Sequence, residues 1–185
     1  MKKIISLVVC FALLLSCAVS LAETDKVNLG SVTVNGEFTL QANMMEGYAF
    51  RISSMDNGVL TGFISSEDLT RPVLQLSISF DESMSDVERM NDLGEEDLAL
   101  LEQSFRDMNE VDITYTETTH GTKVMVVREI GADRDFVDFF SVYKGYSIEF
   151  VMVAGPEAQD TSLTDEQVQM CIQFLSDLDF VPIAK

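Results

Sequence analysis

Val32 and Val34 alternate with polar residues up to Asn35-Gly36, and Phe38 and Leu40 resume the alternation beyond it. A period of two marks a strand with one buried face, and Asn-Gly supplies the two positive-φ positions of a tight hairpin turn. The pattern repeats: Tyr48, Phe50 and Ile52 lead to Asn57-Gly58, and Val59 to Ile64 follow. Leu74, Leu76, Ile78 and Phe80 then form one stripe of period two, a single strand face. Beyond Phe80 the period changes. Ser85-Asp86-Val87-Glu88 has the Ser-x-x-Glu spacing of a capping box and predicts a helix start, with Gly94 as a break. Leu98, Leu101, Phe105 and Met108 are spaced 3, 4 and 3 apart, an amphipathic helix with Glu95, Glu96, Glu102 and Arg106 on its outer side.

Period two returns over residues 111–153. Val111, Ile113 and Tyr115 lead into a turn at His120-Gly121, and Val124 to Val127 come back. Phe136 to Tyr143 run into Lys144-Gly145, and Tyr146 to Val153 return again. Closely spaced strands with tight turns predict an antiparallel meander. Gly155-Pro156 opens a polar loop that lasts to Ser162. Thr164 and Gln167 then form a second capping box, and Leu163 is placed to staple onto Val168. Val168, Ile172 and Leu175, with Cys171 beside them, give this last helix its buried stripe. The expected architecture is α+β: a largely antiparallel sheet of six to eight strands, packed by a central helical segment and a C-terminal helix.

The first residues do not belong to that fold. After Met1-Lys2-Lys3, the run Ile4–Leu15 has no charge and a single polar residue, Ser6. Its length suits the apolar core of an export signal, about 7–15 residues, and falls short of the ~20 that span a bilayer. LLLSCAVSLAE offers two ends for such a signal. Ser20-Leu21-Ala22 places small residues at the −3 and −1 positions, so a peptidase would cut between Ala22 and Glu23. Leu14-Leu15-Ser16-Cys17 also resembles a bacterial lipobox, which would put a diacyl anchor on Cys17. Cleavage after Ala22 is the preferred expectation, because that site lies at the usual distance. The expected organisation is then a signal peptide over 1–22, a polar lead-in over 23–31 and one domain over 32–185, secreted or otherwise extracytoplasmic, with lipid anchoring at the membrane surface as the alternative.

Composition changes the picture in two ways. Removing Lys2 and Lys3 leaves 10 basic residues of 12 against all 31 acidic ones, a formal charge of −21. That balance repels phosphate backbones and anionic lipid surfaces, so no nucleic-acid partner and no electrostatic membrane docking are expected. With no later stretch both long and apolar enough to span a bilayer, no stable membrane insertion is expected either. Of three cysteines, Cys10 and Cys17 lie in the signal, and Cys171 alone is left without an intramolecular partner.

The order of elements resembles the PsbP-like α/β sandwich found in small exported bacterial proteins. The segments that carry the resemblance are GYAFRIS, LQLSISFDESMSDVERM, YKGYSIEFVM and LTDEQVQMCIQFLSDLDF, spread over residues 47–180. It implies a fold and assigns no functional residue.

Candidate chemistry is sparse. His120 is the one imidazole, but His-Gly reads as an exposed turn; with Glu117, Thr118 and Thr119 nearby, nothing marks an oriented nucleophile–base pair. Cys171 sits among Val168, Met170 and Ile172 in the middle of a helix, the setting of an inert structural thiol. Asp133, Asp135 and Asp138 cluster, as do Asp81, Glu82 and Asp86. Neither group has EF-hand spacing: counting from Asp133, position 5 is Val137 and position 12 is Lys144. Phe139-Phe140 and the Tyr143/Tyr146 pair are expected to pack both faces of a sheet, and the scattered methionines to fill the core. No catalytic residue, metal site or cofactor is assigned. The leading expectation is a non-catalytic exported module that binds a protein or another envelope component through a sheet face or edge. A small-ligand or divalent-cation (calcium) binder is the alternative, and a carboxylate-based hydrolase the third.

Overall fold

The computed structural model describes residues 31–56, 58–107, 110–129 and 135–184. Each alternating stretch is a strand. β1 (Ser31–Val34) and β2 (Phe38–Gln41) form the first hairpin; Asn35 and Gly36 both take positive φ, 47° and 71°, and Glu37 N donates to Val34 O at 2.9 Å. β3 (Tyr48–Asp56), β4 (Val59–Ser66) and β5 (Val73–Phe80) form a three-stranded meander. β6 (Val111–Glu117), β7 (Lys123–Glu129), β8 (Phe136–Tyr143) and β9 (Tyr146–Val153) form a four-stranded one. The two meanders join where β5 pairs antiparallel with β9, giving one seven-stranded sheet in the order β3-β4-β5-β9-β8-β7-β6. The fold is α+β, as the periodicities predict.

A second sheet departs from the expectation of a single one. β10 (Asp179–Pro182) pairs antiparallel with β2, so that β1, β2 and β10 stand apart as a three-stranded sheet. Its packing explains why the first hairpin leaves the large sheet. Phe38 meets Tyr143 and Tyr146 edge-on at 5.0 and 5.4 Å, and Phe180 stacks on Tyr143 at 4.9 Å. Aromatic pairs of this geometry contribute about 0.5–1.5 kcal/mol each beyond the area they bury.

The helices lie on opposite faces of the large sheet. α2 (Asp165–Ser176) is closed by the expected box: Thr164 Oγ1 accepts from Gln167 N at 3.2 Å, and Gln167 Oε1 accepts from Thr164 N at 2.9 Å. With the small sheet, α2 covers the face that carries Leu74, Leu76, Ile78, Phe139, Ile148 and Phe150. α1 (Glu95–Arg106) covers the other face over β6, β7 and β8 alone, where Leu101 and Phe105 join Met125, Val127, Phe140 and Val142 in a smaller core.

The box expected at Ser85 is absent. Asp81 instead caps a short 3-10 turn (Glu82–Met84), accepting from Ser83 N at 2.8 Å, and Ser85 Oγ donates to Glu82 O. The backbone of the following residues is drawn elsewhere: Lys144 N donates to Glu88 O, Gly145 N to Val87 O, and Arg89 bridges Tyr143. A helix over 86–89 would lose those tertiary bonds. The central helix starts ten residues later, at Glu95 after Gly94. Among the described residues no helix is long and apolar enough to cross a membrane.

Candidate functional site

Because α1 stops short, the face it covers is divided. The strand registers place Arg51, Phe63, Gln75, Val151, Asp138, Val127 and Ile113 in one row across all seven strands. Val127 and Ile113 lie under α1. At the far end, Arg51, Phe63, Gln75 and Val151 are only partly buried, as are Thr61 and Ser77 in the next row. Asp138 stands at the seam between the covered and open halves.

Its position is unusual for a carboxylate. Asp138 has no solvent exposure, and neither carboxyl oxygen accepts a hydrogen bond from an N–H or hydroxyl donor. Glu149, on the neighbouring strand, lies diagonally across: Phe140 is opposite Glu149, and Val151 is opposite Asp138. Diagonal positions of this kind are within reach of long side chains. Burial, then the charge of Glu149 and its hydrogen bond, push the Asp138 carboxyl well above the usual carboxylate range. Burial also raises Glu149, against the opposing pull of the Asp138 hydrogen bond. Two ionised carboxylates cannot donate to one another; one shared proton turns their repulsion into a hydrogen bond. Ser147, two residues before Glu149 and on the same face, keeps a buried hydroxyl that also lacks a partner.

The residues singled out from the sequence are dispersed. His120 lies in the β6–β7 turn, half exposed, with Nδ1 3.7 Å from Asp179 Oδ1. That turn is fastened to the end of α2, where Thr119 N and Oγ1 both donate to Ser176 O. Thr118 is buried and its Oγ1 accepts from Thr122 N, so it is a turn brace and not a nucleophile aimed at His120. Cys171 is fully buried, and burial pushes its thiol up to about 12. Asp135 and Asp138 do not converge: Asp135 Oδ2 accepts from Leu163 N at 3.2 Å, a residue in the core of the opposite face. Asp133, like Cys17, Ala22 and Glu23, lies outside the described residues. Asp81 is spent on its own turn, accepting from Ser83 N and Oγ. Among the described residues no three His, Cys, Asp or Glu side chains gather as metal ligands.

Phe139 and Phe140 do take opposite faces, one in each core. An open depression beside the α2 N-terminus is lined by Thr70, Glu157, Asp160, Ser162, Thr164 and Gln167. Asp160 is already held by Ser162 N and Oγ there, and Thr164 and Gln167 by each other.

Sequence reasoning grouped Asp138 with loop acids and so missed its pairing with Glu149. A signal was present: Asp138 interrupts Phe-Val-Asp-Phe-Phe, where both faces of the strand are apolar. A charge within such a run needs a partner or a proton. Glu149 similarly interrupts Ser-Ile-Glu-Phe-Val. Comparison of the chain with protein-family models, with curated proteins and with solved structures returned no match.

Proposed function

We propose that this chain is a non-catalytic exported binding module of PsbP-like architecture, and that it recognises a protein or another envelope component through the open half of the large sheet. Export rests on the apolar run before Ala22 and the small residues that precede Glu23. The observation that carries the reading is the division of one sheet face. α1 covers β6, β7 and β8, whereas Arg51, Thr61, Phe63, Gln75, Ser77 and Val151 on β3, β4, β5 and β9 remain partly exposed with no described helix over them.

That half-face mixes one aromatic ring, one guanidinium and several hydroxyl and amide groups, the composition of a polar recognition surface more than of a core. The adjoining edge strand is less suited to pairing. β3 shifts register between Ile52 and Ser54, a bulge that twists an edge away from further strands. The Asp138–Glu149 pair does not suit the hydrolase alternative, because both Asp138 oxygens are sealed from solvent. Two acids that cleave a glycosidic bond must flank an accessible cleft.

The test is retention of envelope components on immobilised protein. A component held by the wild type should be lost from Phe63→Arg and Gln75→Arg, and kept by Glu166→Arg on the exposed side of α2. Equal retention by all four proteins removes the open face from the reading.

A further inference from the structure

We propose that Asp138 and Glu149 form a proton-held latch on α1: a proton kept between them holds the sheet seam closed, and its loss to solvent loosens α1 from β7 and β8. The geometry places the two carboxyls diagonally on adjacent strands, on the sheet face that α1 covers in part and at the edge of the part it covers. Phe140 links them to the helix. It stands opposite Glu149, lies two residues along the strand from Asp138, and meets Phe105 of α1 edge-on at 6.4 Å. Charge or water admitted at the pair therefore reaches the α1 contact first.

The surroundings give a second ionised carboxylate no compensation. Neither acid has an ion pair among the described residues. On the same face, β7 contributes Glu129, diagonal to Asp138, and Lys123 at the strand's other end, where its ammonium lies 5.7 Å from the centre of the Tyr115 ring. α1 contributes Glu102 and Arg106, which pair with each other at 3.7 Å, while Arg106 also donates to Val111 O. Glu102 further accepts from Tyr115. β5 faces the pair with Gln75 and Ser77, and Arg51 of β3 stands four strands from Asp138 along its row. The direction of both pKa shifts agrees with a retained proton.

α1 is also the element best able to yield. Leu101 and Phe105 are its only fully buried residues, and its first turn carries Glu95, Glu96 and Asp97. A buried charge is relieved at least cost by detaching the most weakly held layer above it.

Infrared spectroscopy and hydrogen exchange test this directly. Wild-type protein at pH 7 should show the carbonyl band of a protonated, buried carboxylic acid, absent from Asp138→Asn. Exchange of the α1 amides, corrected for intrinsic rate, should accelerate by at least about tenfold between pH 6 and pH 9 in the wild type, the equivalent of one pH unit. Asp138→Asn should hold α1 at both values. Should that variant not fold, Glu149→Gln serves in its place, since an amide donates to Asp138 at any pH and should likewise keep α1 protected at pH 9. Absence of the acid band in the wild type, or α1 exchange with the same pH dependence in wild type and variant, overturns the latch.

Discussion

Single residues here are constrained more by what they touch than by their type. Gly155 is the clearest case. A Cβ at that position would lie against the carbonyl oxygens of Leu69 and Arg71, which are backbone and cannot rotate aside. Glycine-to-alanine replacement elsewhere commonly stabilises by about 0.4–1 kcal/mol through the unfolded chain. Gly155→Ala should instead destabilise by about 1–3 kcal/mol, the usual cost of overpacking. Urea unfolding decides the sign. Cys171 makes the complementary point. With its thiol buried and raised to about 12, it should react with a thiol reagent only as fast as the protein unfolds. Rapid modification under native conditions would show that α2 opens locally. For Asp138 the sign of the pH effect follows from its raised carboxyl. Stability from the protonated form is full below the unfolded value and is lost as pH rises through the folded one. The melting temperature of Asp138→Asn relative to wild type should therefore rise steadily from pH 4 to pH 8, reaching several degrees in its favour at pH 8, in parallel melts.

Elements were legible where one signal had no competitor. Nine of the ten described strands, more than the six to eight expected, coincide with period-two stripes, several of them set off by a turn with its own chemistry, such as Asn35-Gly36 or Lys144-Gly145. Thr164 and Gln167 were readable for the same reason: a local box closed by local bonds. Thr164→Ala should cost about 0.5–2 kcal/mol in thermal unfolding, since Gln167 N loses its Oγ1 acceptor while the backbone N–H of residue 164 still donates to Gln167. Where tertiary bonds compete, the local signal failed. Ser85 to Glu88 has the spacing of a box, but the 144–145 turn takes the carbonyls of Val87 and Glu88. β10 went unseen for the opposite reason. It has four residues, one fully buried ring at Phe180 and a proline at its end, too little pattern to register before β2 is in place. The site was the least legible of all. Asp138 and Glu149 are 11 positions apart and read as isolated acids, and only the β8–β9 register sets them side by side.

At the scale of the whole molecule, charge matters most. The full chain carries a formal −19, with 12 basic against 31 acidic residues, and residues 23–185 alone carry −21. Like charges at that density repel one another in the folded state and are relieved by unfolding. Salt should therefore stabilise the protein without binding it, because the screening length falls from ~30 Å at 0.01 M to ~3 Å at 1 M. The ion pairs among the described residues oppose this only weakly. Glu102–Arg106 is partly exposed at 3.7 Å, and a pair of that kind contributes about 0–1 kcal/mol. Arg128–Asp165 is shorter, at 2.6 Å, but Asp165 is 87% exposed. Raising sodium chloride from 0.01 to 0.5 M should lift the melting temperature by several degrees. Magnesium and calcium should do the same at matched ionic strength, for no described trio of ligands distinguishes them. A rise specific to millimolar calcium, beyond that of magnesium, would separate site binding from screening and revive the acidic loops as cation ligands. Equal curves for all three salts would leave the acidic surface as a repulsive field, the state in which a buried, proton-retaining pair at the centre of the sheet is most sensitive to alkali.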